Sequence, residues 1–319
     1  MKFDVVTFGS SFVDVYLSSR DFKIVKTGSS PTGTALCQVY GGKVAVEKLV
    51  ITTGGGASNT AVGFERLGLQ TGCVTCVGKD HWGLFVRQEL RKEGVSPLYI
   101  QQVDEPTSYS TILVSEDGGR SALVYRGASN KLSWHKVEWD KLEPDWFYVS
   151  SLGGDLNLLT KIIRTAQAKK IKVALNPGSR EISSEEKLKA FLPYVEVLIV
   201  NRQEAAKLTK HEFKNKEEIL SDLRKLGPRI AVMTEGRKGA ILLEGRKVIS
   251  LPAVPAKTIE ETGAGDGFGC GLVAGLIKFT SLEKALKLGL VNGASVVEHF
   301  GPKAGLLFEP EMEIWLKKL

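Results

Sequence analysis

The sequence predicts an α/β protein with three layers, in which helices cover both faces of a mostly parallel central sheet. Two observations point to this class. Short β-rich apolar runs alternate with longer segments of helical spacing along most of the 319 residues, a pattern typical of βαβ units. In addition, glycine-rich stretches at residues 53–61 and 262–268 each stand directly before a segment that is predicted to be helical.

The predicted elements follow one another with few interruptions. Strands are predicted over residues 3–8, 71–77, 146–149, 172–175, 196–200 and 229–234. Helices are predicted over residues 57–67, 82–93, 156–168, 202–208 and 216–226. A further hairpin is predicted from the alternation at residues 239–243 and 247–251.

Two segments, at about residues 13–53 and 97–126, break this rhythm. The first shows no helical spacing and contains a turn-rich stretch at 28–33. The second alternates polar and apolar residues on both sides of a turn at 116–119, which predicts a β-hairpin. We expect both insertions to pair into one small sheet that acts as a lid over a single domain spanning residues 1–319.

Composition and charge argue against several classes of protein. No apolar run approaches the ~18 residues that a membrane span requires, and the N-terminus lacks the pattern of a signal peptide. We therefore expect a soluble, cytoplasmic protein without a membrane partner. The net charge of +7 is scattered, and aromatic and basic residues do not interleave. This pattern favours a small anionic substrate over a nucleic-acid partner.

Cys73 and Cys76 have the spacing of some metal and redox sites, but they lie inside an alternating apolar run. Residues three apart on a strand point to opposite faces. The sequence contains no second pair of this spacing and no nearby histidine cluster, so buried thiols are the favoured interpretation.

The stretch at residues 262–268 reads Thr-Gly-Ala-Gly-Asp-Gly-Phe and carries the most chemical information. Its small residues hold the backbone open before a helix, where exposed amides favour a bound anion. Asp266 stands at the helix entrance. A carboxylate there is better suited to taking a proton from a group that attacks a phosphate than to anchoring the phosphate.

The other polar candidates are each ambiguous when taken alone. Asp14 follows the first strand, where a carboxylate can accept hydrogen bonds from two sugar hydroxyls or simply cap a turn. The Gly-Gly-Gly-Ala-Ser-Asn run ending at Asn59 can admit a ligand or form a flexible loop. Asn201 and Glu204 can hold a hydrated magnesium ion or cap a helix. The stretch at 234–239 suits either a nucleotide or a tight turn.

The order of these motifs is more specific than any one of them. The stretches are residues 9–14, 54–59, 78–83, 201–204, 234–239 and 262–266. In this order they resemble the ribokinase-like, or PfkB, carbohydrate kinases over essentially the full chain. Residues 54–68 are similar to that family's first fingerprint, and residues 262–268 are similar to its second. The resemblance implies a ribokinase-like fold and transfer of phosphate from ATP, with Mg²⁺, to a hydroxyl of a sugar or sugar acid.

The same resemblance implies a role for each candidate. Asp266 would be the base that takes the proton of the acceptor alcohol. The backbone amides that form an anion hole would be those of Gly263, Ala264 and Gly265. The sugar would be held by Asp14, Gly55, Gly56 and Asn59. Asn201 and the metal-binding Glu204 would organise Mg²⁺ and the phosphates. The nucleotide would be lined by Thr234, Gly236, Gly239 and Asn292. In relatives the lid often also forms a homodimer interface.

Three features bear on specificity. Val-Tyr-Arg ending at Arg126 resembles a pair in 2-keto-3-deoxygluconate kinases that meets a sugar-acid carboxylate, although an exposed lid arginine is the alternative interpretation. Glu260 and Glu261 replace the Asp-Thr or Asp-Ser that often shapes a monovalent-cation site, which puts K⁺ activation in doubt. Lys303 could supply a positive charge of its own.

The sequence also bears on three other functions. A nucleoside kinase would use the same machinery. A non-catalytic sugar-binding homologue is disfavoured, because a sensor has no use for the base in the intact Gly-Ala-Gly-Asp run. A dinucleotide-binding fold is disfavoured because no Gly-x-Gly-x-x-Gly follows the first strand.

Overall fold

The computed structural model describes residues 2–28, 33–116 and 119–319. The turns predicted at residues 28–33 and 116–119 therefore lie partly outside the described residues. No helix in the described part of the chain is both long enough and apolar enough to cross a membrane.

The elements of the described ranges follow the predicted alternation. The strands are β1 (Val5–Phe8), β2 (Phe12–Ser18), β3 (Lys23–Lys26), β4 (Thr34–Cys37), β5 (Lys48–Gly54), β6 (Thr71–Gly78), β7 (Ile100–Val103), β8 (Tyr109–Val114), β9 (Arg120–Tyr125), β10 (Trp146–Val149), β11 (Lys172–Leu175), β12 (Val197–Asn201), β13 (Ile230–Thr234), β14 (Ala240–Glu244) and β15 (Lys247–Leu251). The helices are α1 (Gly56–Arg66), α2 (His81–Lys92), α3 (Leu156–Lys169), α4 (Ser179–Ser183), α5 (Glu185–Lys189), α6 (Arg202–Thr209), α7 (Lys216–Lys225), α8 (Ala264–Lys278), α9 (Leu282–Val297) and α10 (Met312–Leu316).

The central sheet of the described residues has nine strands in the order β15-β14-β13-β12-β11-β10-β1-β6-β7. The strands β13, β12, β11, β10, β1, β6 and β7 pair in parallel along this order. Only β14 and β15 pair antiparallel to their neighbours. The predicted α/β class and the mostly parallel sheet are therefore confirmed.

Each face of the sheet has its own apolar core. Val5 packs into one core, whereas the next residue, Val6, packs into the other, because successive side chains of a strand point to opposite faces. Cys73 and Cys76 are divided between the two cores in the same way. Burial raises the pKa of both thiols to about 11, so the interpretation as buried thiols is confirmed.

Strands from the two insertions form one four-stranded sheet in the order β5-β2-β8-β9, which we call the lid sheet. Strand β7 is a correction to the expected insertion at 97–126, because it pairs in parallel with β6 at the edge of the central sheet. The helix α2 between β6 and β7 provides the crossover that parallel pairing requires. Strands β3 and β4 form a separate two-stranded ribbon.

The lid sheet has two different faces. One face carries Asp14 and a small apolar cluster that includes Tyr16 and Ile112. The opposite face leaves Leu49 59% exposed and Leu123 65% exposed. The first face therefore takes part in the candidate site, and the second presents an apolar surface.

Candidate active site

The candidate site lies where the lid sheet meets the N-termini of α1 and α8. Helix α1 is held against the central sheet because Thr7 Oγ1 of β1 donates to the carbonyl of Ala57 at 3.0 Å. From this helix, Asn59 Nδ2 donates to Asp266 Oδ2 at 2.8 Å. This hydrogen bond joins the two glycine-rich stretches, which are 207 residues apart in the sequence.

Asp266 stands in the first turn of α8, behind a left-handed Gly263 with φ of 83°. A side chain at Gly263 would be strained by this φ and would also overlap Pro302. Burial raises the pKa of Asp266, while the hydrogen bond from Asn59 and the charge of Lys303 act in the opposite direction. A carboxylate with a raised pKa, held by one oxygen, is suited to accept a proton.

The start of α8 also opens onto a cavity of about 580 Å³, which both Ala264 and Gly265 line. No heavy atom lies within 4 Å of the place where a Cβ at Gly265 would stand. This open space beside a helix N-terminus is suited to an anion. The Ala264 amide already donates to the carbonyl of Glu261 at 3.3 Å, so it is partly engaged within the protein.

Asp14 reaches the site from β2 and is only 6% exposed. Its carboxylate lies so close to Gly54 that a Cβ there would overlap Oδ2, which explains the first glycine of the triplet. Burial raises the pKa of Asp14 to about 6, and the charge of Asp266 adds to this effect. A hydrogen bond from Ser110 and the charge of Lys303 act in the opposite direction. Asp14 and Asp266 are thus two electrostatically coupled acids of one site.

The other two glycines of the triplet connect these acids. Gly55 has φ of 94° and packs against the backbone of Ser10. Gly56 packs against Ser150, with Asp266 close by. The three glycines therefore leave the space between Asp14 and Asp266 free of their side chains, as a closely bound ligand would require.

The 580 Å³ cavity extends from α8 to the end of β13. Its predicted lining residues Thr234, Gly236 and Gly239 all contribute. The remaining walls are mostly apolar and were not anticipated: Ala253, Val254, Pro255, Ala256, Phe268, Leu290, Gly293, Ala294 and Val297. Concave, largely apolar walls with a few polar groups are typical of a site for a small molecule.

Asn201 and Glu204 form a capping box at the start of α6. Asn201 Oδ1 accepts from the Glu204 amide at 2.9 Å, and Glu204 Oε2 accepts from the Asn201 amide at 2.8 Å. Burial raises the pKa of Glu204, and these hydrogen bonds oppose the rise. The strand register places Asn201 beside Thr234, at the edge of the cavity.

The fit of these residues to Mg²⁺ follows from its coordination chemistry. The described residues contain no group of three His, Cys, Asp or Glu side chains that could hold a metal ion. Mg²⁺ usually keeps several waters and binds through one or two carboxylates together with substrate phosphates. A single carboxylate and an amide at the edge of the cavity suit that mode of binding.

The side chain of Asn292 does not face the cavity, which corrects its predicted role in nucleotide binding. The residue has no exposed surface. Its Nδ2 donates to the carbonyl of Gly267 at 2.7 Å, and its Oδ1 accepts from the Leu307 amide at 2.9 Å. Asn292 therefore ties α9 to α8 and to the C-terminal segment, while the next residue, Gly293, lines the cavity.

Two arginines stand at the start of β9 and directly after its end. Arg126 is exposed, and its carbonyl accepts from Ser108 Oγ, whose partner Ser129 donates in turn to the Ser11 carbonyl. This network connects the backbone of Arg126 to Ser11, in the segment between β1 and β2. Sequence reasoning did not single out Arg120, which lines the cavity and contacts both Glu260 and Thr262.

Lys303, which the sequence suggests as a source of positive charge, does not pair with Glu260. Glu260 Oε1 accepts from Arg120 and from the Thr262 amide, the latter at 2.7 Å. Lys303 Nζ instead donates to Thr53 Oγ1 at 2.6 Å. The cation that pairs with Glu260 is therefore the lid arginine, and Lys303 lies on the Asp14 side of the site.

Comparisons with known proteins identify the family of this chain. Residues 4–307 match the family described as pfkB family carbohydrate kinase. The chain is 25% identical to ribokinase of Bacillus subtilis over 312 residues, which cover 97% of this chain and 98% of the relative. It is 27% identical to cytidine kinase of Thermococcus kodakarensis over 259 residues, which cover 79% of this chain and 90% of the relative.

A solved structure shares the whole fold. Ribokinase of Arabidopsis thaliana, complexed with ribose and ATP, superposes with a TM-score of 0.82 and covers 99% of both chains. The two sequences are 21% identical, so this likeness concerns the fold alone.

Proposed function

The chain belongs to the pfkB family of carbohydrate kinases, and on that premise we propose that it transfers the γ-phosphoryl group of ATP to a hydroxyl of a sugar or sugar acid. The observation that carries this proposal is the hydrogen bond between Asn59 and Asp266. It holds a carboxylate with a raised pKa between the Asp14 side of the site and the open N-terminus of α8.

On the acceptor side, Asp14 accepts hydrogen bonds from two sugar hydroxyls, and the backbone at Gly55 and Gly56 lets the ring approach closely. Asp266 then takes the proton of the attacking hydroxyl. As the new O–P bond forms, the bond between the γ-phosphorus and the β–γ bridging oxygen breaks and ADP leaves. A base placed in this way typically contributes ~10²–10⁴ in rate.

On the phosphate side, the amides at the start of α8 and the open space at Gly265 receive the transferring group, while Arg120 adds a positive charge from the lid. Asn201 and Glu204 would hold Mg²⁺ through its waters, and the ion would supply positive charge to the phosphates. Thr234 and the neighbouring glycines line the nucleotide.

The lid sheet has two proposed roles. Its closure over the acceptor keeps water from competing with the hydroxyl. Its outer apolar face, which includes Leu49 and Leu123, forms a homodimer interface, because an exposed apolar sheet face is costly in water. Light scattering should find a dimer for the native chain and a smaller mass for Leu123→Glu. A native monomer at micromolar concentration would contradict the interface.

Two classes of substrate are compatible with the proposal. The exposed Arg126 supports a sugar acid, since a guanidinium can bind a carboxylate with two hydrogen bonds. The likeness to a cytidine kinase favours a nucleoside as the second candidate. ADP release measured with ribose, fructose, 2-keto-3-deoxygluconate and adenosine distinguishes them. If ADP is released with adenosine but with none of the sugars, the nucleoside replaces the sugar acid as the favoured substrate.

The contacts of Glu260 bear on K⁺. Because its Oε1 is occupied by Arg120 and Thr262, we expect turnover that K⁺ changes little. Replacing K⁺ by tetramethylammonium at constant ionic strength measures this directly, and strong activation by K⁺ would contradict it.

A further inference from the structure

We propose that Lys303 is a positioning residue of the acceptor site, whose buried ammonium group fixes the end of β5 behind Asp14 and allows Asp14 and Asp266 to be ionised together. The inference rests on the proposed function for its catalytic meaning. Its electrostatic content is a property of the folded protein alone.

The loop at residues 301–305 touches both halves of the site. Pro302 packs directly against Gly263, the residue that starts α8. The next residue, Lys303, donates from Nζ to Thr53 Oγ1 at 2.6 Å, and Thr53 precedes the glycine that backs onto Asp14. One short loop thus connects the base with the acceptor site.

The position of the ammonium group is well defined. Lys303 is 8% exposed, and Thr53 is 2% exposed. Arg66 Nη1 donates to the carbonyls of Lys303 at 2.7 Å and Leu306 at 3.2 Å. Arg66 is in turn held by an ion pair with Glu93 at 2.7 Å. A solvent-exposed surface lysine would not need hydrogen bonds that fix its backbone in this way.

The charge balance explains why a cation is needed here. Asp14 is buried, Asp266 is partly buried, and each raises the cost of ionising a neighbour of the same sign. The proposed reaction needs both as carboxylates, one to hold hydroxyls and one to take a proton. Mg²⁺ would act on the phosphate side, so Lys303 is the positive charge that acts on both acids.

The ammonium is itself sensitive to its neighbours. Burial lowers the pKa of Lys303 to about 8, against the opposing charges of Asp14 on β2, Cys73 on β6, Glu89 on α2 and Glu93 at the C-terminal end of α2. Lys303 is therefore mostly charged at pH 7 and loses its proton as the pH rises through about 8.

A purely structural role for Lys303 makes a different prediction. If only the hydrogen bond to Thr53 mattered, Thr53→Val and Lys303→Met would have similar effects. If the charge matters, Lys303→Arg should preserve much of the activity, Thr53→Val should keep the pH profile, and Lys303→Met should change it.

The test compares kcat/KM from pH 5 to 9.5 for the native enzyme and these three variants. In Lys303→Met we expect the acid limit to move up by about one pH unit or more, with a loss of ~10-fold or more at pH 6. An acid limit in Lys303→Met equal to that of Thr53→Val would overturn the proposal.

A second measurement needs neither activity nor a lysine variant that folds. The Cε resonance of Lys303 in protein labelled with ¹³C-lysine should titrate near pH 8, and at a lower pH in Asp14→Asn. An unchanged midpoint in Asp14→Asn would overturn the coupling. If no acceptor is phosphorylated but the midpoint moves, the proposed function fails while the Lys303–Asp14 coupling stands.

Discussion

Asp14 should lower the stability of the unliganded protein at neutral pH, so removing its charge should stabilise the fold. Burial raises the pKa of Asp14 from 3.8 to about 6. Below pH 3.8 the carboxyl is neutral in both the folded and unfolded states, and above pH 6 it is ionised in both. Between these values the folded state holds the proton more tightly, so stability falls as the pH rises. The full effect is about 3 kcal/mol.

The perturbation is Asp14→Asn, which resembles the neutral acid in size and can still accept from Ser110. The difference in the free energy of unfolding between variant and native protein should be about 1 kcal/mol at pH 4.5. It should grow toward about 3 kcal/mol at pH 7.5. Urea unfolding at each pH, followed by the fluorescence of the five tryptophans, measures this difference.

Asp80→Asn provides a control of opposite sign. Burial acts to raise the pKa of Asp80, but hydrogen bonds from Thr107 and Gly83 outweigh it and the pKa is lowered. The ionised Asp80 therefore stabilises the folded state at neutral pH, and this stabilisation is lost on acidification. Asp80→Asn should accordingly destabilise the protein at pH 7.5. The reasoning about Asp14 would be refuted if Asp14→Asn gave no stabilisation, or gave the same stabilisation at pH 4.5 and 7.5.

Two further predictions concern the lid arginines. Arg120→Ala should lower kcat by ~10- to 100-fold, because it removes a charge-assisted hydrogen bond worth about 1.5–3 kcal/mol at the phosphate side; steady-state kinetics with saturating ATP would show this, and an unchanged kcat would remove Arg120 from the mechanism. Arg126→Ala should raise KM for an acidic sugar more than for a neutral one, and equal changes for both would argue against carboxylate recognition.

The sequence predicts the elements well because their signals are local. Apolar strands such as the run at 146–149 and capped helices such as α2, which begins behind Asp80, can be recognised without knowledge of their partners. Strand β7 was assigned to the lid because four residues carry too little pattern to show which sheet they join. The pairing of the two insertions was predictable because both have strand periodicity and no other partner was apparent.

The site was predictable in its motifs but not in its contacts. Asp266 and Asn59 stand in recognisable glycine-rich stretches, yet the hydrogen bond between them depends on the packing of α1 against α8. Arg120 carries no local signal, and Lys303 was recognised only as a possible source of charge, because each contacts residues that are more than 100 positions away. The face of α9 on which Asn292 lies follows from helix packing and could not be inferred from its position alone.

The most direct test of the account is the turnover of Asp266→Asn, measured alongside its affinity for the nucleotide. Asparagine keeps the size of the side chain but cannot take the proton of the acceptor hydroxyl. We predict that kcat falls by about two or more orders of magnitude while ATP binding, measured by calorimetry, is retained. A variant that binds ATP and turns over at the native rate would contradict the assignment of Asp266 as the base.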